Sequence, residues 1–327
     1  MMSVRRIVAF MSAMLALPFP AYAEAKQEKP QYVIISFDGA HDLRQWRRSA
    51  DLGRETGASF TYFQSCVFLL SPDTRNEYAR IPGEKARSNV GFALSKQEVA
   101  DRLAAIWSAH QAGHEIASHG CGHFDGTKWT KATWDKEFSE FSRILTHAYE
   151  INGIEGEPNG WKEMARSVIG FRAPYLAMSP ALNAAQRQAG LQYDASTVSR
   201  GPLEPHVKKD IMQFSLPLIP EGPSKRLVIG MDYNLYVRHS GGKERPEEAA
   251  IYEARAYEAF KTTFDTQYSG ERIPLQFGFH FTLMNDGAYW RALEHFAREV
   301  CRQKEVRCVS YRTYLEETAA PDESHAG

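Results

Sequence analysis

Apolar residues fall along the chain in short runs that alternate with amphipathic stretches. Tyr32-Val33-Ile34-Ile35-Ser36-Phe37 is a nearly unbroken β-rich run that stops at Asp38-Gly39, the pattern of a buried strand. Leu43 to about Arg54 reads as a helix and Ala58 to Phe63 as a second strand, and a long polar loop runs from about Ser71 to Leu94. Ser95-Lys96-Gln97-Glu98 has the form of a capping box, and Val99, Leu103, Ile106 and Trp107 carry a helical stripe to about Gln111. Glu115 to Ser118 is a third strand. The alternation continues with a helix over about Lys131 to Tyr149, a strand from Val168 to Arg172 stopped by Pro174, and a helix from about Pro180 to Ala189. Leu191–Ala195, Met212–Leu216 and Leu227–Met231 are further strand candidates. A helix over about Glu247 to Thr266, a strand Leu275–Phe279, a helix Ala288–Val300 and a strand Arg307–Ser310 complete the series.

Strand–helix alternation with short buried strands predicts an α/β fold with a parallel sheet. Seven or eight such units in one domain suit a closed or nearly closed (β/α)7-8 barrel. A doubly wound open sheet is the competing architecture, but no Gly-rich phosphate loop follows the first strand, so a dinucleotide site lacks its main mark.

Composition and the two termini narrow the picture. The chain has 327 residues, 43% hydrophobic and 24% charged, with a formal charge of -1. These values suit a folded protein with a large core, and no broad basic surface for nucleic acid is implied. Arg5 and Arg6 precede an apolar run, Ile7 to Phe19, and Ala21-Tyr22-Ala23 follows as a small-x-small cleavage site. Residues 1–23 therefore read as a secretory signal peptide, residues 24–30 as a flexible lead-in, 31–318 as the barrel and 319–327 as a disordered tail. The expected location is the periplasm or the medium, with no membrane span after cleavage. In that compartment Cys66, Cys121, Cys301 and Cys308 can form two disulfides. Pairing Cys301 with Cys308 would leave Cys66 with Cys121; buried free thiols are an equal alternative.

Ionisable residues collect where strands end. Asp38 ends the first strand, His119 and His123 follow the third, and Arg172 and Tyr175 close the next. Asp194 and Asp232 end later strands and His280 the penultimate one. Barrel enzymes draw their catalytic groups from this face. His119-Gly120-Cys121-Gly122-His123 places two imidazoles four residues apart; on one helical turn they would face the same way and could grip a metal. Imidazole and carboxylate donors together suit Zn²⁺ among divalent ions. Each residue also has an ordinary reading: Asp38-Gly39 as a turn, Arg172 as an ion-pair partner, His280 as a core histidine.

In this order the pieces resemble the polysaccharide deacetylase family with its NodB-homology domain, carbohydrate esterase family 4. Ser36-Phe37-Asp38-Gly39 is similar to the first motif, His119 to His123 to the His-x-x-x-His metal motif, Arg172-Ala173-Pro174-Tyr175 to Arg-x-Pro-Tyr, and Phe279-His280 to the last motif. The likeness spans about Tyr32 to Tyr314. It implies a distorted barrel of the polysaccharide deacetylase type and hydrolysis of acetyl groups, N-acetyl foremost, on an acetylated polysaccharide or peptidoglycan.

The resemblance also implies roles. Asp38 would be the general base, Arg172 its charge partner, the Tyr175 N–H an oxyanion donor, and His280 the general acid supported by Asp232 or Asp194. His119 and His123 would bind a divalent metal, zinc by the kind of its donors. The family's first motif has two adjacent aspartates, the second a metal ligand, and here Gly39 stands in that place. The third ligand is then Asp38 itself, or Asp42 or His41 from the following turn. Trp129, Trp134, Tyr175, Tyr233, Tyr236 and Trp290 are candidate sugar-binding aromatics, and the 71–94 loop a candidate groove wall. The alternatives are a metal amidohydrolase acting on a small cyclic amide or imide, and a metal-free barrel that only binds glycan.

Overall fold

A computed structural model describes residues 29–78 and 86–319. The segment read as a signal peptide, most of the expected lead-in, the centre of the 71–94 loop and the tail beyond residue 319 lie outside the described residues.

Among the described residues, ten strands and ten helices follow one another. The strands are β1 (Gln31–Asp38), β2 (Thr61–Gln64), β3 (Glu115–Ser118), β4 (Gly170–Phe171), β5 (Tyr193–Ser199), β6 (His206–Lys208), β7 (Ile211–Glu221), β8 (Arg226–Ile229), β9 (Leu275–His280) and β10 (Val306–Val309). The helices are α1 (Leu43–Thr56), α2 (Lys96–Gln111), α3 (Lys131–Thr146), α4 (Ala148–Ile151), α5 (Trp161–Arg166), α6 (Leu182–Gln188), α7 (Asp232–Ser240), α8 (Ala249–Tyr268), α9 (Ala288–Val300) and α10 (Tyr311–Thr318).

The circuit β9-β1-β2-β3-β4-β5-β7 is parallel throughout. It departs from a regular barrel in two places. β10 pairs with residues 31–34 of β1 and β2 with residues 36–38, so two strands share one edge of β1. Between β8 and β9 only an isolated bridge, Met231 to Gly278, links the ends. The result is a distorted, incompletely closed barrel.

Alternation along the strands decides which side chains reach the lumen. On β1, Val33, Ile35 and Phe37 join the large cluster that packs the outer helices, whereas Tyr32 and Ile34 join a second cluster with Phe63, Ala117, Tyr193, Ala195, Phe214 and Tyr311. The same parity carries Ser36 and Asp38 inward. On β9, Leu275, Phe277 and Phe279 pack outward, which leaves Gln276, Gly278 and His280 on the inner face. The lumen is therefore apolar and aromatic through its middle and polar at the C-terminal end of the strands.

Several elements differ from the sequence expectation. The helix read over 131–149 breaks at His147, whose φ of −107° is not helical. The 168–172 strand shrinks to Gly170–Phe171. A Cβ on Gly170 would lie 1.9 Å from the Tyr193 ring, so glycine is required where β4 meets β5. Helices α5, α7 and α10 and strand β6 were not legible; they are short and carry mixed faces. The capping box at α2 forms with a shift: Ser95 Oγ accepts from the Glu98 N–H, but Glu98 reaches the Leu94 N–H. Both disulfides are present, Cys66–Cys121 and Cys301–Cys308, and so the free-thiol alternative does not hold.

Candidate active site

Asp38 is the last residue of β1 and is buried. Its Oδ1 accepts from Arg172 Nη1 at 2.8 Å. Arg172 follows β4, is fully enclosed, and spends its donors on four acceptors. Nη1 also reaches Ser36 Oγ at 2.8 Å, Nε the Ala195 carbonyl at 3.0 Å, and Nη2 the Tyr311 hydroxyl at 2.8 Å. Its guanidinium lies 4.4 Å from the Phe63 ring centroid. A buried cation with this many acceptors is compensated rather than stranded. Burial pushes the Asp38 carboxyl up, but the Arg172 charge, with the His119 and His280 rings beside it, outweighs burial and holds the group below its ordinary range. Asp38 is thus ionised at neutral pH.

His119 follows β3 and is buried. Its Nδ1 lies 2.8 Å from the Arg172 carbonyl oxygen. A carbonyl can only accept, so Nδ1 carries the proton, and burial pushes the imidazole below its ordinary range, which leaves Nε2 its lone pair. His123 does not sit on a helical turn with His119, as the i, i+4 reading expected. The segment from His119 to Asp125 is irregular, and His123 has a φ of 54°. The turn still brings the two rings together, with centroids 5.0 Å apart. Burial first, and His119 beside it, push the His123 imidazole down to about 3, so the ring is neutral. Its Nδ1 is buried without a hydrogen-bond partner among the described residues.

Three anchors hold this loop. Cys121, between the two histidines, is bonded to Cys66 after β2. The Cys66 N–H donates to the Gly120 carbonyl at 3.1 Å. Glu137, on α3, accepts the N–H groups of Cys121 and Gly122 on Oε1 at 2.6 and 3.1 Å, and the Tyr78 hydroxyl on Oε2 at 2.8 Å. A Cβ at Gly120 would lie 3.0 Å from Glu137 Oε1, and Gly120 has a φ of 71°, so this residue must be glycine for the carboxylate to approach. The disulfide closes 55 residues. Chain entropy then predicts that a Cys66→Ala/Cys121→Ala variant loses about 4 kcal/mol of unfolding free energy, against about 2 for the pair that closes seven. Urea unfolding of the two double variants measures the difference.

On the other side of β1, His280 ends β9. Its N–H donates to Asp232 Oδ2 and its Nδ1 to Asp232 Oδ1, both at 2.7 Å. Asp232 is fully buried and opens α7 rather than ending a strand. Burial lowers the His280 basicity, but the Asp232 carboxylate prevails and raises it above the ordinary histidine range. Asp194 does not share this role. It has the opposite parity to Tyr193 and Ala195, so it leaves the lumen and accepts the Ser196 N–H at 2.9 Å. Ser196 Oγ in turn takes the Ala173 N–H at 2.8 Å, which steadies the Arg172–Tyr175 segment.

Tyr175 stands in a left-handed conformation, φ 57° and ψ 11°, with its ring 4.6 Å from that of His123. Asp42 caps α1, taking the N–H groups of Arg44 and Gln45 and the Arg44 guanidinium. His41 Nδ1 lies 2.9 Å from the Gly39 carbonyl. Among the described residues, no three His, Cys, Asp or Glu side chains form a ready cage for a metal ion. Two imidazoles with available lone pairs, one buried and unpartnered, fit part of a cation's donor set.

Of the aromatic candidates, Trp134, Trp290 and Tyr236 are buried and Trp129 packs against the core, whereas Tyr175 and Tyr233 are exposed. Sequence reasoning missed Ser36, Tyr311, Ser196 and Glu137. Ser36 was legible as the same-face neighbour of Asp38 at i−2. Glu137 was legible as an acid within the apolar stripe of Trp134, Phe138 and Phe141. Tyr311 and Ser196 carried no local signal.

No family model matches the chain, and no curated protein matches it by sequence. Solved structures do share its fold. A Mycobacterium smegmatis protein described as a polysaccharide deacetylase aligns with a TM-score of 0.54 at 17% identity, over 89% of this chain and 91% of the other. Puue allantoinase aligns at 0.51 and 14% identity, over 90% and 93%. A 4-alpha-glucanotransferase from Thermococcus litoralis aligns at 0.53 and 11% identity, over 89% of this chain and 41% of its own. With the strand order and the open seam described above, the chain folds as a distorted (β/α) barrel of the polysaccharide deacetylase type.

Proposed function

We propose that the protein hydrolyses acetyl groups, N-acetyl foremost, on an extracytoplasmic polysaccharide or peptidoglycan. The observation that carries this reading is the convergence of two differently tuned groups on one barrel end. Asp38 is held ionised by Arg172, and His280 is held protonated to higher pH by Asp232. An acid and a base pushed apart in this way suit amide hydrolysis, which needs a proton removed from water and another delivered to the leaving nitrogen.

Asp38 takes the water proton, and Arg172 keeps it anionic and fixed. His280 protonates the leaving nitrogen. The Tyr175 N–H faces the developing oxyanion as its donor. A divalent cation, zinc foremost, would be held by His119 and His123, with Asp38 the carboxylate whose charge reaches both. Such a cation, when bound, lowers the pKa of water and polarises the acetyl carbonyl. Export through the N-terminal segment supports a substrate outside the cytoplasm, and no described helix is long and apolar enough to cross a membrane.

Acetate release from acetylated chitooligosaccharides and from peptidoglycan tests the reading. Hydrolysis of a cyclic imide without acetate release from either polymer would replace it. His119→Ala should abolish stoichiometric metal binding, measured by elemental analysis after dialysis; one tightly held metal per chain in the variant removes His119 from the ligand set. Asp232→Asn tests the acid. His280 must be protonated to act, so its pKa sets the alkaline limb of the rate profile. Loss of the carboxylate should move that limb down by about 1–3 pH units. An unmoved limb in the kcat/KM profile assigns it to another group.

A further inference from the structure

We propose that His239 is a positioning residue for the proposed acid: anchored on Glu221 and bonded to Tyr289, it clamps the far end of α7 and so holds Asp232 on His280 across the seam that the sheet leaves open. This rests on the hydrolytic reading and extends it to a residue whose bonds go to none of the reacting groups.

The need for a clamp comes from the seam. β7 and β8 are joined by an antiparallel ladder, and β9 and β1 by a parallel one. Between β8 and β9 the described residues offer the isolated bridge Met231–Gly278, where the Gly278 N–H donates to the Gly230 carbonyl at 3.0 Å. The next residue after that bridge, Asp232, opens α7 and accepts both hydrogen bonds from His280. A nine-residue helix tethered at this end alone would pivot about it and carry the carboxylate with it.

The other end is tied to three elements. Glu221, the last residue of β7, has a fully enclosed side chain. Its carboxylate accepts from Arg255 Nε of α8 at 2.7 Å, and from Arg238 Nε and His239 Nε2 of the last turn of α7 at 3.2 and 3.1 Å. Against burial, the Arg255 hydrogen bond and charge hold this carboxyl below its ordinary range. The His239 side chain is also fully enclosed. A carboxylate accepts, so His239 Nε2 carries the proton. Burial first, then the Arg255 charge, push the ring down to about 4, which leaves Nδ1 a lone pair. Nδ1 accepts from the Tyr289 hydroxyl at 3.2 Å, and the Tyr289 oxygen accepts from Asn285 Nδ2 at 3.2 Å. The His239 ring stacks on those of Tyr252 and Tyr289, with centroids 5.3 and 5.7 Å away.

This chain of bonds leads back to His280 by two routes. Asn285 lies in the segment that follows β9. Its N–H donates to Glu244 Oε2 at 2.7 Å and its Oδ1 accepts the Arg245 N–H at 2.8 Å, so that segment is tied to the one after α7. Tyr289 is the neighbour on α9 of Trp290, whose Nε1–H donates to the His280 carbonyl at 2.8 Å. α7 therefore holds His280 by its imidazole and α9 holds it by its carbonyl, and the His239–Tyr289 bond joins the two helices. A buried network in which each member finds its partner fixes one arrangement. It does here what ladder hydrogen bonds do elsewhere in the sheet.

Two variants of the full chain test the clamp. His239→Phe keeps a stacked ring and removes both nitrogens. Tyr289→Phe removes one oxygen atom and carries the test should the first variant fail to fold. In nitrogen-15 histidine-labelled protein, the His280 Nδ1–H proton held by Asp232 reports that pair directly by NMR. Its exchange with water should be at least about tenfold faster in each folded variant, the scale of losing one or two buried hydrogen bonds. In acetate release, kcat should fall about tenfold to 10²-fold with KM within about twofold of the parent, as misplacement of a reacting group predicts. Folded variants whose His280 proton exchanges as in the parent overturn the proposal, and so does a fall in kcat without faster exchange. Should the parent release no acetate from either polymer, the hydrolytic reading fails by itself. The exchange rates then still decide whether His239 holds Asp232 on His280.

Discussion

Replacing Asp38 by asparagine should lower acetate release by about 10²–10⁴-fold, the usual contribution of one general acid or base. The substitution keeps a hydrogen-bond acceptor and removes the charge. The asparagine oxygen can still accept from Arg172 Nη1, which Asp38 Oδ1 does at 2.8 Å, so the packing around the guanidinium survives. What disappears is the basic lone pair that Arg172, His119 and His280 hold ionised. Loss of the charge also leaves the enclosed Arg172 guanidinium without its anion, so the thermal midpoint should fall as well, and turnover is compared on folded protein, where its loss should exceed anything the folded fraction accounts for. Full turnover in a folded Asp38→Asn protein would remove this carboxylate from the chemistry.

Arg172→Met should be the most damaging single change to stability, at about 3–5 kcal/mol, because it strands a buried carboxylate. It also leaves the Ala195 carbonyl and the Ser36 and Tyr311 hydroxyls without their donor. The pH dependence supplies the sharper test. In the parent, the Asp38 carboxyl is depressed in the folded state, so its contribution is present above the unfolded pKa of about 3.9 and is lost as pH falls through the folded value. Without Arg172, burial acts with weaker opposition and the folded pKa rises. The variant is then penalised at neutral pH and partly relieved on acidification. Urea unfolding at pH 7.5 and pH 5 should show the gap between parent and variant narrowing at the lower pH. The acid limb of any remaining activity should move to higher pH. A gap that is constant across this range would show that Arg172 acts through packing alone.

The disulfide, the Glu137 carboxylate and Gly120 together explain why an irregular loop can present two imidazoles reproducibly. A helix would have done this by periodicity, and the i, i+4 spacing of His119 and His123 invites that reading. The chain instead uses a cross-link and two charge-assisted hydrogen bonds, which come from residues 66 and 137. The same contrast runs through the rest of the site. The strand-end positions of Asp38, Arg172 and His280 were legible because each closes an apolar run. The pairing of His280 with Asp232, and not with Asp194, depended on strand parity and on the start of an unread helix.

The amino-acid sequence by itself determined the alternation of strands and helices, the parallel sheet and the set of ionisable residues at the strand ends. Hydrophobic periodicity is a local property, and each run carries it whatever its neighbours do. Only the tertiary structure decided which of those residues meet. It joined Arg172 to Asp38 across 134 positions and His280 to Asp232 across 48, engaged Asp42 at its own helix, and left Tyr175 and Tyr233 uncovered. Those outcomes turn on sheet order, on the face each side chain takes and on which polar groups find partners once water is excluded, and none of these is a property of a short window of sequence.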